Sequence, residues 1–289
     1  MGGRSNKVKE TLLSCLKNWN FMVGFVILLS VILVAVFADV IAPYDYTDQL
    51  VGAKYTAPCA EFWFGTDELG RDVFSRTIYG TRITLWVAFL GATLQLVIGV
   101  TVGLICGYFG KWVDRVFSFL TDLTWCIPGT ILALAVVTLI GKGLTNSVIA
   151  ISLVSWASYA RPIRAKTMSL KTMSLKTMSF VETGAAFGES AFSLMFRYIF
   201  PNVVPSLIVM VSMSLPGTIL STTTLSFLGL GSQAPSPDWG LALSNGINYI
   251  GRAPWLSIFP GIALVYTVIG FNLLGEGLRD VLDPHMKAQ

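Results

Sequence analysis

Charge is scarce in this sequence. Of its 289 residues, 12% are Asp, Glu, Lys or Arg and 54% are hydrophobic. The mean hydropathy is +0.68. Soluble domains carry about 25% charged residues, which cover the surface that faces water. The composition therefore excludes an ordinary soluble domain and predicts an all-α polytopic membrane protein.

Histidine and the common catalytic motifs are also lacking. His285 is the only histidine, and the four cysteines form no C-x-x-C pair. The sequence has no G-x-x-x-x-G-K-[ST] phosphate loop, no G-x-S-x-G and no H-E-x-x-H. We therefore expect no catalytic residue, cofactor or metal in this chain, so it is not an enzyme. Because no basic cluster is interleaved with aromatics, we expect no nucleic-acid partner.

Long apolar runs are abundant instead. Residues 21–38 contain no charge until the run closes at Asp39. At about 1.5 Å per residue, such a run crosses a hydrocarbon core of about 30 Å. Five more apolar runs predict a total of six transmembrane helices, the others at about 85–108, 116–140, 147–159, 202–223 and 255–274.

The distribution of Lys and Arg predicts the orientation. With the N-terminus in the cytoplasm, the interior segments carry 14 of these residues and the exterior segments carry 6. The positive-inside rule favours this arrangement. We therefore predict cytoplasmic termini, and we divide the chain into 1–83, with the first helix and an exterior loop, and 84–289, a core of five helices.

Small residues recur in the second predicted span, at Gly91, Gly99, Gly103 and Gly107. Their spacing places them on one helical face, which predicts close packing against another helix.

The interior loop at 161–201 holds the main candidate site. Its central stretch reads SFVETGAAFGESAFSLMFRYIFPNVVP, residues 179–205. At helical spacing Glu182, Glu189, Ser193 and Arg197 share one stripe, while glycines interrupt the helix. We predict that this loop docks a soluble partner; the alternative is a solvated loop. Just before it, TMSLK occurs twice in tandem at 167–176, and we predict a loop or frayed helix there because Ser and Thr weaken helices.

This loop resembles the EAA loop of ABC importer permeases. Glu182, Gly188 and Pro201 have the family's spacing, whereas the usual Ala-Ala after the glutamate is replaced by Thr183 and Gly184. FGTDELGRDVFSR, SFLGLG, DWG and FNLLGEGLRDVLDP resemble the dipeptide/oligopeptide/nickel permeases, C-type subunit, and the similarity covers about 64–284. The resemblance assigns ATPase coupling to Glu182, Thr183, Gly184, Gly188, Arg197 and Pro201.

The resemblance implies a type I ABC importer permease fold in a bacterial plasma (inner) membrane. The implied partners are a homologous permease subunit, two cytoplasmic ATPase subunits that bind ATP and Mg²⁺, an external solute-binding protein, and membrane lipid. Peptides are the first expected cargo, with nickel or a metal–chelator complex as the alternative. From a different class, a secondary transporter or channel that works without ATPases remains open, although such proteins usually place ionisable residues near mid-membrane.

Four residues are candidates for the transport pathway or its gating: Asp122, Gln95, Pro128 and Pro216. Asp122 can instead pair with Arg115 or with another subunit, and Gln95 can bond across helices. The prolines are expected to kink their helices.

Four further residues on the exterior loop are candidates for contact with a partner: Asp67, Gly70, Arg71 and Asp72. The alternative is that they stabilise a short surface helix, with Asp67 as its N-cap and Asp72 pairing locally.

Overall fold

The computed structural model describes residues 13–172 and 187–282. These residues form helices and connecting loops, with a single isolated bridge between Thr66 and Asp72. The helices are α1 (Trp19–Val36), α2 (Ala38–Ile41), α3 (Val73–Phe109), α4 (Lys111–Cys126), α5 (Gly129–Ile140), α6 (Leu144–Ser155), α7 (Ala157–Thr172), α8 (Ala191–Phe227, with a π-helical turn at Leu194–Ile199), α9 (Trp239–Ile247) and α10 (Trp255–Leu282).

Four helices of the described chain are long and apolar enough to cross a membrane: α1, α3, α8 and α10. A fifth span results if α4 and α5, which are bent by 99° at their break, count as one. The predicted span at 147–159 falls on α6 and α7, which are 12 and 16 residues long and meet at Trp156. The chain is therefore a multi-pass helical membrane protein.

Helix α3 begins well before the predicted span. Its first residue is Val73, so the predicted boundary at 83/84 lies inside a continuous helix. The predicted boundary placed Arg76 and Arg82 in the region that holds the exterior loop, whereas both belong to α3. In the structure both guanidinium groups bind backbone carbonyls: Arg76 Nη1 donates to Tyr46 O (2.7 Å), and Arg82 Nε donates to Ala35 O (2.6 Å). These bonds satisfy the charged donors at the helix start.

The glycine face of α3 packs against α7, as the glycine spacing predicts. A Cβ on Gly103 would lie 2.7 Å from Ile163 Cβ and 2.8 Å from the Ala160 carbonyl oxygen. One turn further on, a Cβ on Gly107 would lie 2.8 Å from the Arg164 carbonyl oxygen. Only a residue without a side chain permits such a close approach of two backbones. The two helices are therefore held in one register.

Helix α7 continues into the first copy of the tandem repeat and is helical as far as Thr172. The expected loop or frayed helix is therefore wrong for this first copy. Lys171 explains part of the difference, because its Nζ donates to the Tyr108 carbonyl oxygen (2.6 Å) and lies over the Tyr108 ring. The second copy lies outside the described residues, apart from Thr172.

We predict that Gly103→Ala destabilises the protein and that Gly217→Ala does not. Both changes add one methyl group and gain about 1 kcal/mol of helix propensity. No atom lies within 4 Å of a Cβ at Gly217, whereas the Gly103 methyl overlaps α7. Overpacking costs about 1–3 kcal/mol.

Thermal unfolding of the detergent-purified variants measures this difference. We expect a lower midpoint for Gly103→Ala and an unchanged or raised midpoint for Gly217→Ala. Equal midpoints would show that the α3–α7 contact is not tightly packed.

Candidate functional site

Of the interior loop predicted at 161–201, the structure describes 161–172, which are helical and belong to α7, and the residues from Phe187 onward. Gly188, Arg197 and Pro201 are therefore described, whereas Glu182, Thr183 and Gly184 lie outside the described residues. Phe187 and Gly188 form an exposed turn. Gly188 has φ +80°, a left-handed conformation, and no atom lies within 4 Å of a Cβ placed there. The glycine is thus required by the backbone and leaves open space on its outer side.

Glu189 ties this turn to the start of α8. Its carboxylate accepts hydrogen bonds from Ser193 Oγ (2.7 Å) and Tyr198 Oη (2.8 Å). These two bonds lower the pKa of the Glu189 carboxyl below its ordinary value. Ser190 caps the helix, since its Oγ accepts from the Ser193 backbone N–H (3.2 Å). The turn is therefore anchored to the helix that follows it.

The start of α8 contains a π-helical turn that the sequence analysis missed. The Phe200 backbone N–H donates to the Met195 carbonyl oxygen, five residues earlier. Pro201 has no N–H to continue the ordinary ladder. Asn202 Nδ2 donates to the Tyr198 carbonyl oxygen (2.6 Å) and satisfies an acceptor in this turn. The signal in the sequence is Pro201, which follows the turn directly.

The π-helical turn has an inner face and an outer face. On the inner face Met195 and the fully buried Ile199 join an apolar cluster from three helices. The cluster consists of Val100, Leu104, Ile163, Met195, Ile199, Val203 and Leu207. On the outer face the Phe192 and Phe196 rings are exposed, with their centroids 4.4 Å apart. One side of this segment is therefore fixed to α3 and α7, and the other side is open.

Comparisons with known proteins match this arrangement to one family. Residues 99–288 match the family described as binding-protein-dependent transport system inner membrane component. Residues 9–58 match the N-terminal TM domain of oligopeptide transport permease C. The chain belongs to this transport permease family.

Several curated relatives are similar to this permease over nearly its whole length. It is 39% identical over 272 residues, 94% of this chain and 88% of the relative, to the dipeptide transport system permease protein DppC of Alkalihalophilus pseudofirmus. It is 38% identical over 265 residues (91% and 86%) to the glutathione transport system permease protein GsiD of Pectobacterium atrosepticum. The GsiD of Escherichia coli O6:K15:H31 is 40% identical over 264 residues (91% and 85%).

The four exterior candidates of the permease lie in and beside a tight turn. Asp67 Oδ1 accepts from the backbone N–H groups of Leu69 (2.8 Å) and Arg71 (2.9 Å), and Asp67 Oδ2 accepts from Arg71 Nε (2.6 Å). Gly70 has φ +70°, and its missing Cβ would lie 2.5 Å from the Gly52 carbonyl oxygen. These residues are buried, which favours a local structural role over contact with a partner, although they stabilise a turn and the start of the long helix α3 and not a short surface helix.

The expected helix cap was assigned to the wrong aspartate. Asp72, and not Asp67, precedes α3 and accepts from the Ser75 backbone N–H (2.8 Å). Asp67 instead closes the turn before the helix. Its two carboxylate oxygens accept from the backbone N–H groups of Leu69 and Arg71 and from Arg71 Nε. The two aspartates lie five residues apart and precede the same apolar run. The residue types alone therefore did not show which of them caps the helix.

The pathway candidates are separated in the structure. Gln95 is buried, and its Nε2 donates to Thr218 Oγ1 (3.1 Å), which is the cross-helix alternative. Pro128 lies at the sharp α4–α5 bend. Pro216 is buried inside α8, which stays continuous. None of these three lines the cavity that Asp122 borders.

The sequence analysis named Arg115 as a possible partner of Asp122 within the chain, but the structure does not pair these two residues. Asp122 forms an ion pair with Arg161 of α7. The two residues are 39 positions apart, and only the packing of α4 beside α7 brings them together.

We predict that Ile199→Ala loosens the π-helical turn, whereas Ile208→Ala on the same helix does not. Ile199 is 0% exposed and Ile208 is 46% exposed. Large-to-small changes in a packed core cost about 2–5 kcal/mol, and outward-facing positions cost far less.

Limited trypsin digestion of the two purified variants tests this, because Arg197 lies within the turn. Faster cleavage after Arg197 is expected in Ile199→Ala alone. Equal cleavage in both variants would contradict the assignment of Ile199 as the anchor.

Proposed function

We propose that this chain is the transmembrane subunit of an ATP-binding cassette importer and forms half of the translocation pathway for peptides. Membership of the binding-protein-dependent transport permeases supports import with the help of other subunits. The relatives named above are a dipeptide permease and glutathione permeases. Both named cargoes are small peptides, which ranks peptides ahead of nickel or a metal–chelator complex.

The observation that carries the proposal is that the segment from Gly188 to Ile199 has one side open and one side packed against other helices. The Gly188 turn is open on its outer side, and the adjoining π-helical turn is fixed on its inner side to α3 and α7. A surface that receives force from a soluble motor needs both properties. It must be accessible to the partner, and it must be attached to the helices that move.

In this proposal Glu182, Thr183 and Gly184 complete the docking surface on the cytoplasmic side. Small residues permit close approach of a partner, and Glu182 and Arg197 supply charge-assisted bonds at the rim. The packed interior of α3, α7 and α8 is close to incompressible. Closure of the ATPase subunits is therefore transmitted as rigid-body motion of these helices.

The proposed topology has six spans and cytoplasmic termini. The bent pair α4–α5 serves as the third span and α6–α7 as the fourth. The excess of Lys and Arg in the interior segments supports this orientation. The proposed partners are a homologous permease, two ATPase subunits that hold ATP and Mg²⁺, and an external solute-binding protein, in a bacterial plasma membrane.

Reconstitution tests the proposed function directly. Proteoliposomes with the chain, its partner permease, the ATPases and the binding protein are expected to take up dialanine only when ATP is supplied on the ATPase side. Proteoliposomes that hold the chain without the ATPases are expected to take up none. ATP-independent uptake by this chain alone would overturn the proposal in favour of a secondary transporter or channel.

Position 188 gives a graded prediction for partner docking. A non-glycine residue in the left-handed region costs about 1–2 kcal/mol, and Asn tolerates it better than Ala. We expect the amount of co-purified ATPase to decrease from the unaltered chain to Gly188→Asn and then to Gly188→Ala. We expect no ATPase to co-purify with Gly188→Trp, whose ring occupies the open side.

Glu182→Lys is expected to give the same loss of uptake as Gly188→Trp, with normal insertion in the membrane. Quantitative co-purification of the ATPase subunits measures both changes, and the Asn variant controls for loss of glycine itself. Normal uptake and co-purification in both Glu182→Lys and Gly188→Trp would remove the docking assignment.

A further inference from the structure

The ion pair between Asp122 and Arg161 is exposed although it belongs to a membrane protein. The Asp122 side chain is 61% exposed and the Arg161 side chain is 39% exposed. Arg161 also lies over the Trp125 ring, 4.2 Å from its centroid. Charged groups that face lipid are costly, so such groups usually face a water-filled space or another polypeptide.

The pair lies within the length of the packed helices. Arg161 stands between Ala160 and Ile163, which both contact Gly103 of α3. Gly103 is six residues before the end of α3 at Phe109, which corresponds to about 9 Å of helix. The pair is therefore close to the interior end of the helix bundle, but not beyond it.

Helix α4 separates polar from apolar groups on two faces. Its outward apolar side chains, Trp112, Phe119 and Leu123, are exposed. The side of α4 with Phe117, Ser118 and Thr121 borders a cavity of about 320 Å³ between α3, α4 and α7, and Asp122 lies at the edge of this side. Polar groups on the cavity wall are Ser118, Thr121, Asp122, Arg161 and Arg164. The polar face of α4 is thus turned away from the face suited to lipid.

Within the described chain, the side chains of Asp122 and Arg161 each make one hydrogen bond, the one that joins them. The second pair at this cavity is different. Arg164 donates from Nε and Nη2 to both carboxylate oxygens of the largely buried Asp114. Arg161 therefore keeps most of its donors for another acceptor, and Asp122 keeps one carboxylate oxygen for another donor.

We propose that Asp122, Arg161 and Trp125 form a subsite for the charged termini of a peptide as it leaves the pathway. This inference rests on the proposed function. The carboxylate of a zwitterionic peptide binds the planar guanidinium of Arg161, and its ammonium group binds Asp122. The exposed pair is weakly held, so that the peptide can replace each partner with its own charge. The Arg164–Asp114 pair keeps its structural role.

Cysteine labelling in the assembled transporter tests this subsite. The background variant carries Cys59→Ser and Cys126→Ser, because these two cysteines are exposed and the other two are buried. Asp122→Cys is the reporter, and Leu123→Cys on the apolar face is its matched control. The background complex, in which Asp122, Trp125 and Arg161 are unaltered, is first shown to import dialanine with ATP, so that a failed subsite is distinguishable from a failed function.

We expect an anionic methanethiosulfonate to modify Asp122→Cys about tenfold faster than Leu123→Cys, because the reactive thiolate needs water. Dialanine at twice the Kd measured for the Asp122→Cys complex is expected to slow this reaction about threefold, because Arg161 still binds the peptide carboxylate and protection scales with one plus the ratio of ligand to Kd. Similar rates at both positions, or no protection by dialanine, would overturn the proposal.

Second-site variants separate recognition of charge from simple blockage. Protection of Asp122→Cys by dialanine is expected to persist with Arg161→Lys or Arg164→Gln and to be lost with Arg161→Gln. Protection that survives Arg161→Gln would contradict recognition of a carboxylate by Arg161. If the Asp122→Cys complex does not assemble, Trp125→Cys serves as the reporter with the same expected pattern.

Discussion

The contact between the glycine face of α3 and α7 is the constraint on which the rest of the structure depends. Gly103 and Gly107 bring the backbone of α3 against the carbonyl oxygens of Ala160 and Arg164. This contact fixes the position of α7, which leads into the interior loop. It also places Ile163 where Ile199 of α8 packs on it. The helix before the interior loop, α7, and the helix after it, α8, are thereby both packed against α3.

The same contact explains why polar groups cluster near the end of α3 at Phe109. With α7 held on α3, Arg161 and Arg164 project toward α4 and meet Asp122 and Asp114. The two pairs differ in exposure and in the number of bonds, so they suit different roles. Breaking the well-bonded pair would leave a largely buried charge without its partner, whereas the exposed pair of the proposed subsite can exchange its partner for cargo.

Sequence patterns predicted the features that depend on local spacing. The apolar runs indicated the helices, and the glycine spacing indicated the close contact of α3. Features that depend on distant residues were not predictable in the same way. The Asp122–Arg161 pair joins two helices, and the roles of Asp67 and Asp72 depend on which of them precedes the helix start. The packing of Ile199 of the π-helical turn in a cluster of three helices likewise joins residues that are distant in sequence.

The central claim is that the start of α8 and helix α7 move as one body during the transport cycle. The distance between spin labels at positions 168 and 192 of the assembled importer tests this most directly, since both side chains are exposed. The account predicts that this distance changes by less than about 2 Å when ATP binds, as within a rigid unit. A larger change, with α7 and the start of α8 moving apart, would contradict it.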